Sequence, residues 1–254
     1  MLKSYFFIIL SITLISSCLA GDALRFCGVE WPPFTFVEKN EIVSGISFDI
    51  YQEAFGRIGK RFTANVLPWE RCKAAVTQGT QYDAMIDNAA LSPFIFGKHP
   101  TGVYPLVLFV RENFAASQFS WQEVTGKRVG MVRGYDYTES VLNFDGWIRD
   151  FATTDEQMIS KLLVKRYDYI LGDIFSTPII AQKLGTKLKM LTPSVDATYT
   201  FLVFNESRGA ILKQYDAAIK QMIIDGTMES IYQKYGYSYD ALMKLGSANS
   251  LKSN

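Results

Sequence analysis

The chain has one histidine, three cysteines and a charge balance close to zero, and each of these scarcities removes a class of function. His99 lies in the turn-like run Gly97-Lys98-His99-Pro100, so no second imidazole exists to build a zinc site, and no thiol–imidazole pair is patterned. Lys and Arg number 26 against 25 Asp and Glu, with no basic stripe. Neither counterion-release binding to nucleic acid nor adhesion to an anionic membrane is favoured. A nucleophile–base pair, a metal cluster and a Gly-rich phosphate loop are also missing, as are internal repeats and low-complexity tracts. The chain is short of long hydrophobic runs too. The longest, Tyr5 to Ile15, has eleven residues, where a bilayer-spanning helix needs about 20.

That run follows Lys3 and precedes Ser16-Ser17-Cys18-Leu19-Ala20, which gives residues 1–20 the form of a secretory signal peptide. Cleavage after Ala20 leaves Gly21 at the start. Ile15-Ser16-Ser17-Cys18 also fits a lipoprotein processing site, with Cys18 as the lipidated first residue; the first strand begins near Leu24, so such a lipid would have almost no tether. Removing residues 1–20 takes away Lys3 alone and leaves 25 basic and 25 acidic residues. Two cysteines then remain. Cys27 ends the first strand, and Cys72 lies in the first turn of the helix after Pro68-Trp69. In an oxidising compartment an even pair suggests a disulfide, worth about 4 kcal/mol in the chain-entropy model; two buried free thiols are the alternative.

Strand-like and helix-like segments alternate along the rest of the chain, which predicts an α/β fold. Leu24–Val29, Phe62–Val66 and Tyr82–Ile86 read as strands around helices at Ser47–Ile58 and Glu70–Gln78. Tyr104–Val110 is a long apolar strand. Trp121–Gly126 opens a second series, with strands at Lys127–Val132 and Tyr167–Leu171 and helices at Asp155–Arg166 and Ser176–Leu184. Thr200–Phe204 is a strand returning to the terminal helices. There, apolar Ile211, Leu212, Tyr215, Ala218, Ile219, Met222 and Ile223 recur at helical spacing, Asp225-Gly226 breaks the helix, and Thr227 caps a second one.

The wording of Asp225-Gly226-Thr227-Met228-Glu229-Ser230-Ile231-Tyr232-Gln233-Lys234-Tyr235-Gly236 resembles the closing segment of the bacterial extracellular solute-binding proteins of family 3. Further points of resemblance are Trp31-Pro32-Pro33-Phe34, Gly45-Ile46-Ser47-Phe48-Asp49, Gly79-Thr80-Gln81-Tyr82-Asp83-Ala84, Gly126-Lys127-Arg128-Val129-Gly130 and Tyr167-Asp168-Tyr169-Ile170-Leu171-Gly172-Asp173. The resemblance implies a two-lobed periplasmic binding protein fold (type II), each lobe a mostly parallel sheet flanked by helices, the two joined by hinge strands. Residues 22–106 plus 202–246 would form lobe 1, residues 107–201 lobe 2, and residues 247–254 a frayed tail. It further implies a periplasmic monomer that takes a small amino-acid-like solute without altering it, uses no cofactor or metal, and passes the solute to an ABC permease. A sensory receptor acting on a signalling protein is a second reading, and a dehydratase-like enzyme on the same fold a third.

The candidate ligand residues come from matches to that pattern and from departures. Trp31 and Phe34, on a turn stiffened by two prolines, are ring platforms, with core packing as the bland alternative. The family's arginine that forks a ligand carboxylate is absent from Asp87-Asn88-Ala89-Ala90-Leu91-Ser92, and Arg133-Gly134-Tyr135-Asp136 puts a carboxylate where small hydroxyl residues are usual. Asp173 matches the aspartate that accepts a ligand ammonium. Asp87, Asn88, Asp136 and Asp173 therefore suggest a cationic or neutral polar ligand, with Arg71 or Arg133 as substitutes for the missing cation. Asp136 with Glu139 also fits a capping box, and Asp49 is either a cleft residue or a solvated helix carboxylate.

Overall fold

The computed structural model describes residues 23–250, with side chains to residue 246. The expected signal segment, Cys18 and residues 251–254 lie outside the described residues. The first strands and helices are β1 (Leu24–Gly28), β2 (Phe36–Glu38), β3 (Glu41–Ser44), α1 (Ile46–Arg57), β4 (Phe62–Val66), α2 (Trp69–Gln78), β5 (Ala84–Ala89) and β6 (Gly102–Arg111). Next come β7 (Arg128–Val132), α3 (Glu139–Leu142), β8 (Ile148–Ala152), α4 (Asp155–Leu163), β9 (Tyr169–Asp173), α5 (Ser176–Lys183), β10 (Leu188–Met190) and β11 (Asp196–Phe204). Helices α6 (Gly209–Ile224), α7 (Thr227–Lys234) and α8 (Tyr239–Ser250) close the chain.

The strands run in the order β2-β3-β4-β1-β5-β11-β6-β9-β7-β8, with β10 on β6. In one half β1 pairs in parallel with β4 and β5; in the other, β7 pairs in parallel with β8 and β9. Strands β5 and β9 are buried almost throughout, because helices cover both faces of a parallel sheet; each opens apolar and carries acidic or amide residues, Asp87 and Asn88 or Asp173, toward its end. Between the halves lie two long antiparallel strands. The early part of β11, Asp196 to Thr200, pairs with Leu106 to Gly102 of β6; from Thr200 to Phe204 it pairs with β5, with an irregularity at Phe201–Val203. Strand β6 mirrors this, pairing with β11 first and then, from Leu106 to Phe109, with β9. Each strand thus begins in one half and ends in the other.

The core follows the same division. Phe26, Ile50, Phe55, Phe204, Ile219 and Tyr232 belong to one cluster, in which α6 and α7 return to pack near α1. Along β6, alternation sends Leu106, Leu108 and Val110 to a second cluster with Val129 and Trp147, and Val107 and Phe109 to a third with Ile159 and Ile170. Cys27 and Cys72 form a disulfide, Cα atoms 5.8 Å apart, tying β1 to α2.

Some expectations need correction. Asp136 and Glu139 make no capping box: Thr138 is the N-cap of α3, and Glu139 is its first residue. The N-cap of α7 is Gly226 at φ 79°, which a side chain would strain, while Asp225 receives the Thr227 N–H and hydroxyl. Helix α8 spans Tyr239–Ser250, and residues 251–254 of the expected tail lie outside the described residues. It is held by Leu242, buried in the first cluster, and by the Tyr199 hydroxyl, which donates to the Met243 carbonyl at 2.9 Å.

Candidate functional site

The two parallel sub-sheets present the C-terminal ends of their strands to each other, and the loops leaving those ends enclose a cavity. Open α/β sheets place ligands at such ends. Trp31 and Thr35 follow β1, Asp87 and Ala89 end β5, Tyr135 and Asp136 follow β7, Asp155 follows β8, and Asp173 ends β9. Tyr104 of β6 and Thr198 and Thr200 of β11 add the wall made by the crossing strands. Counting its mouth, the empty volume is about 630 Å³, within the range of small-molecule sites.

Four aspartates line this space, each held differently. Asp87 adopts a left-handed backbone (φ 56°), a conformation Asp tolerates better than most residues. Its Oδ1 accepts from Ser47 and Tyr51 hydroxyls, both at 2.8 Å, while Oδ2 is buried without a partner. Burial raises its pKa to about 6, against the pull of those two hydroxyls. Asp155, the first residue of α4, accepts from the Tyr135 hydroxyl at 2.6 Å, and desolvation raises it to about 7, with Asp173 adding like-charge repulsion. Asp173 is raised by burial as well, opposed by the Ser176 hydroxyl, the N–H groups of Ser176 and Phe175, and the Trp31 indole. Its Oδ1 accepts the Phe175 and Ser176 N–H groups at 2.8 and 2.9 Å. Asp136 is paired: Oδ1 lies 2.5 Å from Lys73 Nζ, which also donates to the Gly134 carbonyl at 3.1 Å, and Oδ2 has no partner.

Aromatic rings make the remaining surface. Trp31 stacks on Phe34 at 4.1 Å and leans on Tyr104 at 5.5 Å; Trp69, the first residue of α2, meets Tyr135 edge-on at 6.3 Å. That last contact and the Lys73–Asp136 pair join the two halves across the mouth, as does Lys183 with Glu30 at 3.5 Å. Buried beside the cavity, the Thr200 hydroxyl and the Trp69 indole N–H have no partner.

Of the residues singled out in the sequence, the fold brings Trp31, Asp87, Asp136 and Asp173 together around the cavity. Phe34 is wholly buried behind Trp31 and serves as its backing. Asn88, between Asp87 and Ala89 on β5, is buried and does not line the space. Arg71 and Arg133 are exposed and do not line it; Arg133 lies over the Phe151 ring at 5.4 Å. Asp49 is also outside, bound to Lys234 at 2.6 Å and Tyr235 at 2.9 Å. Sequence reasoning missed Asp155, Tyr135, Trp69 and Tyr104 as lining residues, although Asp155, Trp69 and Tyr104 stand at the starts of helices or in a strand that it locates; Tyr135 lies in the loop after β7. Among the described residues no group of three or more His, Cys, Asp or Glu side chains is arranged to hold a metal ion.

No protein-family model matches the chain, and no curated protein matches it in sequence. Solved structures do. The fold is similar to that of a histidine kinase sensor domain described as similar to periplasmic binding proteins, at TM-score 0.76 and 16% identity over 85% of this chain and 97% of that one. It is also similar to an arginine periplasmic binding protein from Legionella pneumophila, at TM-score 0.70 and 21% identity over 84% and 99% of the two chains. A third neighbour is an ancestral arginine-binding protein bound to arginine, at TM-score 0.72 and 18% identity over 85% and 99%. The chain has the periplasmic binding protein fold.

Proposed function

We propose that this protein captures a small polar, amino-acid-like solute, cationic or neutral, between two lobes and delivers it unchanged to an ABC importer. The observation that carries this reading is the cavity itself: it lies between halves joined by β6 and β11, and it holds buried polar atoms, Asp87 Oδ2 and Thr200 Oγ1, that lack partners. Buried polar groups cost free energy until they are paired, and a polar guest would pair them. Residues 22–106 plus 202–246 act as lobe 1 and residues 107–201 as lobe 2. The lobes rotate about β6 and β11; opening parts Lys73 from Asp136 and Trp69 from Tyr135, and a bound solute favours the closed arrangement. Residues 1–20 export the chain to the periplasm, where it works as a monomer and Asp155 and Asp173 serve binding rather than catalysis.

The sensor-domain neighbour supports a second reading, in which the closed form is recognised by a signalling protein instead of a permease. Mass spectrometry of whatever small molecule co-purifies with the protein tests the common core of both readings. An unmodified bound solute supports capture, and release of a converted product contradicts it. Co-isolation with a permease or with a membrane sensor separates the two readings.

A further inference from the structure

Resting on the reading that the cavity holds a solute, we infer that its natural ligand is an organic amine without a carboxylate, held by its cation between carboxylates and aromatic rings.

The first argument is the fate of every group that could meet a carboxylate. Neither Arg71 nor Arg133 lines the cavity, and the two lysines at its mouth are engaged, Lys73 by Asp136 and the Gly134 carbonyl and Lys183 by Glu30. A helix N-terminus could take the anion instead; α2, which begins at Trp69, has no side-chain cap, but on the β7–β9 side the protein fills these positions itself. At α5 the Asp173 carboxylate accepts the free N–H groups of Phe175 and Ser176; at α4 the first residue is Asp155. A ligand carboxylate entering here would face Asp87, Asp155 and Asp173 with no free cation. Burying such a group costs about 2 kcal/mol or more, roughly a factor of 30 in affinity.

The second argument is what the unpartnered atoms ask for. Asp87 is 9% exposed, and its free Oδ2 accepts hydrogen bonds; Asp136 Oδ2 on the other side of the cavity also accepts. Trp31, Trp69, Tyr104 and Tyr135 supply ring faces, which attract cations by their quadrupoles. Unpartnered donors beside the cavity are neutral: the Trp31 and Trp69 indole N–H groups and the Thr200 hydroxyl. An ammonium or guanidinium satisfies the two free carboxylate oxygens and the rings, whereas an α-carboxylate faces those carboxylates and gains at most these few neutral donors.

Matched pairs differing by one carboxylate give the test. Calorimetric titration of the purified protein with cadaverine against L-lysine, and with agmatine against L-arginine, should show at least one amine binding about 30-fold or more tighter than its parent amino acid. Asp87→Asn and Asp155→Asn should each weaken that amine about tenfold. Equal or tighter binding of the amino acids overturns the inference while leaving solute capture intact. Binding of neither series also overturns it, and a negatively charged or zwitterionic compound co-purifying with the protein would then show that capture stands with a different guest. Failure of capture itself would appear separately, as turnover of a bound compound.

Discussion

The two sides of the cavity are built from different materials. The β1–β5 side contributes the indoles Trp31 and Trp69 and two carboxylates, Asp87 and the Lys183-paired Glu30, and is tied internally by the Cys27–Cys72 disulfide between β1 and α2. The β7–β9 side contributes three of the four aspartates, two of them engaged at or near the first turns of α4 and α5. One side is a braced aromatic wall, the other a charged one set by helix ends. A solute held by both must offer apolar or cationic surface to the first and hydrogen-bond donors to the second.

The largest effect should come from removing the brace. Replacing Cys27 and Cys72 with alanine should lower stability by about 2–5 kcal/mol in a denaturant titration and disturb Trp31 and Trp69 fluorescence before the second half responds. A uniform loss across both halves would break the comparison. Next, Asp173→Ala strips the acceptor from two N–H groups and a hydroxyl at α5, which should cost about 2–3 kcal/mol and abolish binding measured by calorimetry.

Acidity sharpens the contrast further, because binding and stability should move oppositely. Burial raises Asp87 to about 6 and Asp155 to about 7, above their unfolded values, so the ligand-free folded protein takes up protons first as pH falls from about 7 to 4. These two groups therefore add stability on acidification, and their contribution is lost as pH rises through the folded pKa values. Cation binding needs them ionised and should weaken about tenfold per protonated carboxylate over the same interval. Thermal melts and titrations at pH 5 and pH 8 check both signs. The smallest effect belongs to Lys73→Met, which removes a partly buried cross-cavity pair and should shift the open–closed balance by about 1 kcal/mol or less, read as a modest change in affinity.

Much of the scaffold was legible in the sequence because it rests on local signals. Phe62–Val66 was bounded correctly, its apolar Phe62, Ala64 and Val66 alternating with Thr63 and Asn65, and the Asp225-Gly226 break between α6 and α7 is marked by turn chemistry. The β2–β3 hairpin escaped notice because its strands have three and four residues and its turn uses Lys39-Asn40 at positive φ, without the glycine that usually marks such turns. Strand β8 carries Arg149 and Asp150 and so reads as polar; Asp150 is satisfied by Arg166, Lys161 and Arg128. The site was half legible. Arg71 was a reasonable cation candidate on α2, yet Lys73, two residues and about half a helical turn away, is the one that meets Asp136. Asp155 looked like an ordinary first-turn acid, and only the packing of β8 beside β7 brings it into the cavity. Which helix ends converge is a long-range fact, and no local pattern encodes it.

The central claim is that two halves hinged on β6 and β11 close over a solute. Small-angle scattering of the protein with and without a ligand shown to bind tests it directly. The account predicts a smaller radius of gyration when the ligand is bound, and an unchanged radius with the site saturated would contradict it.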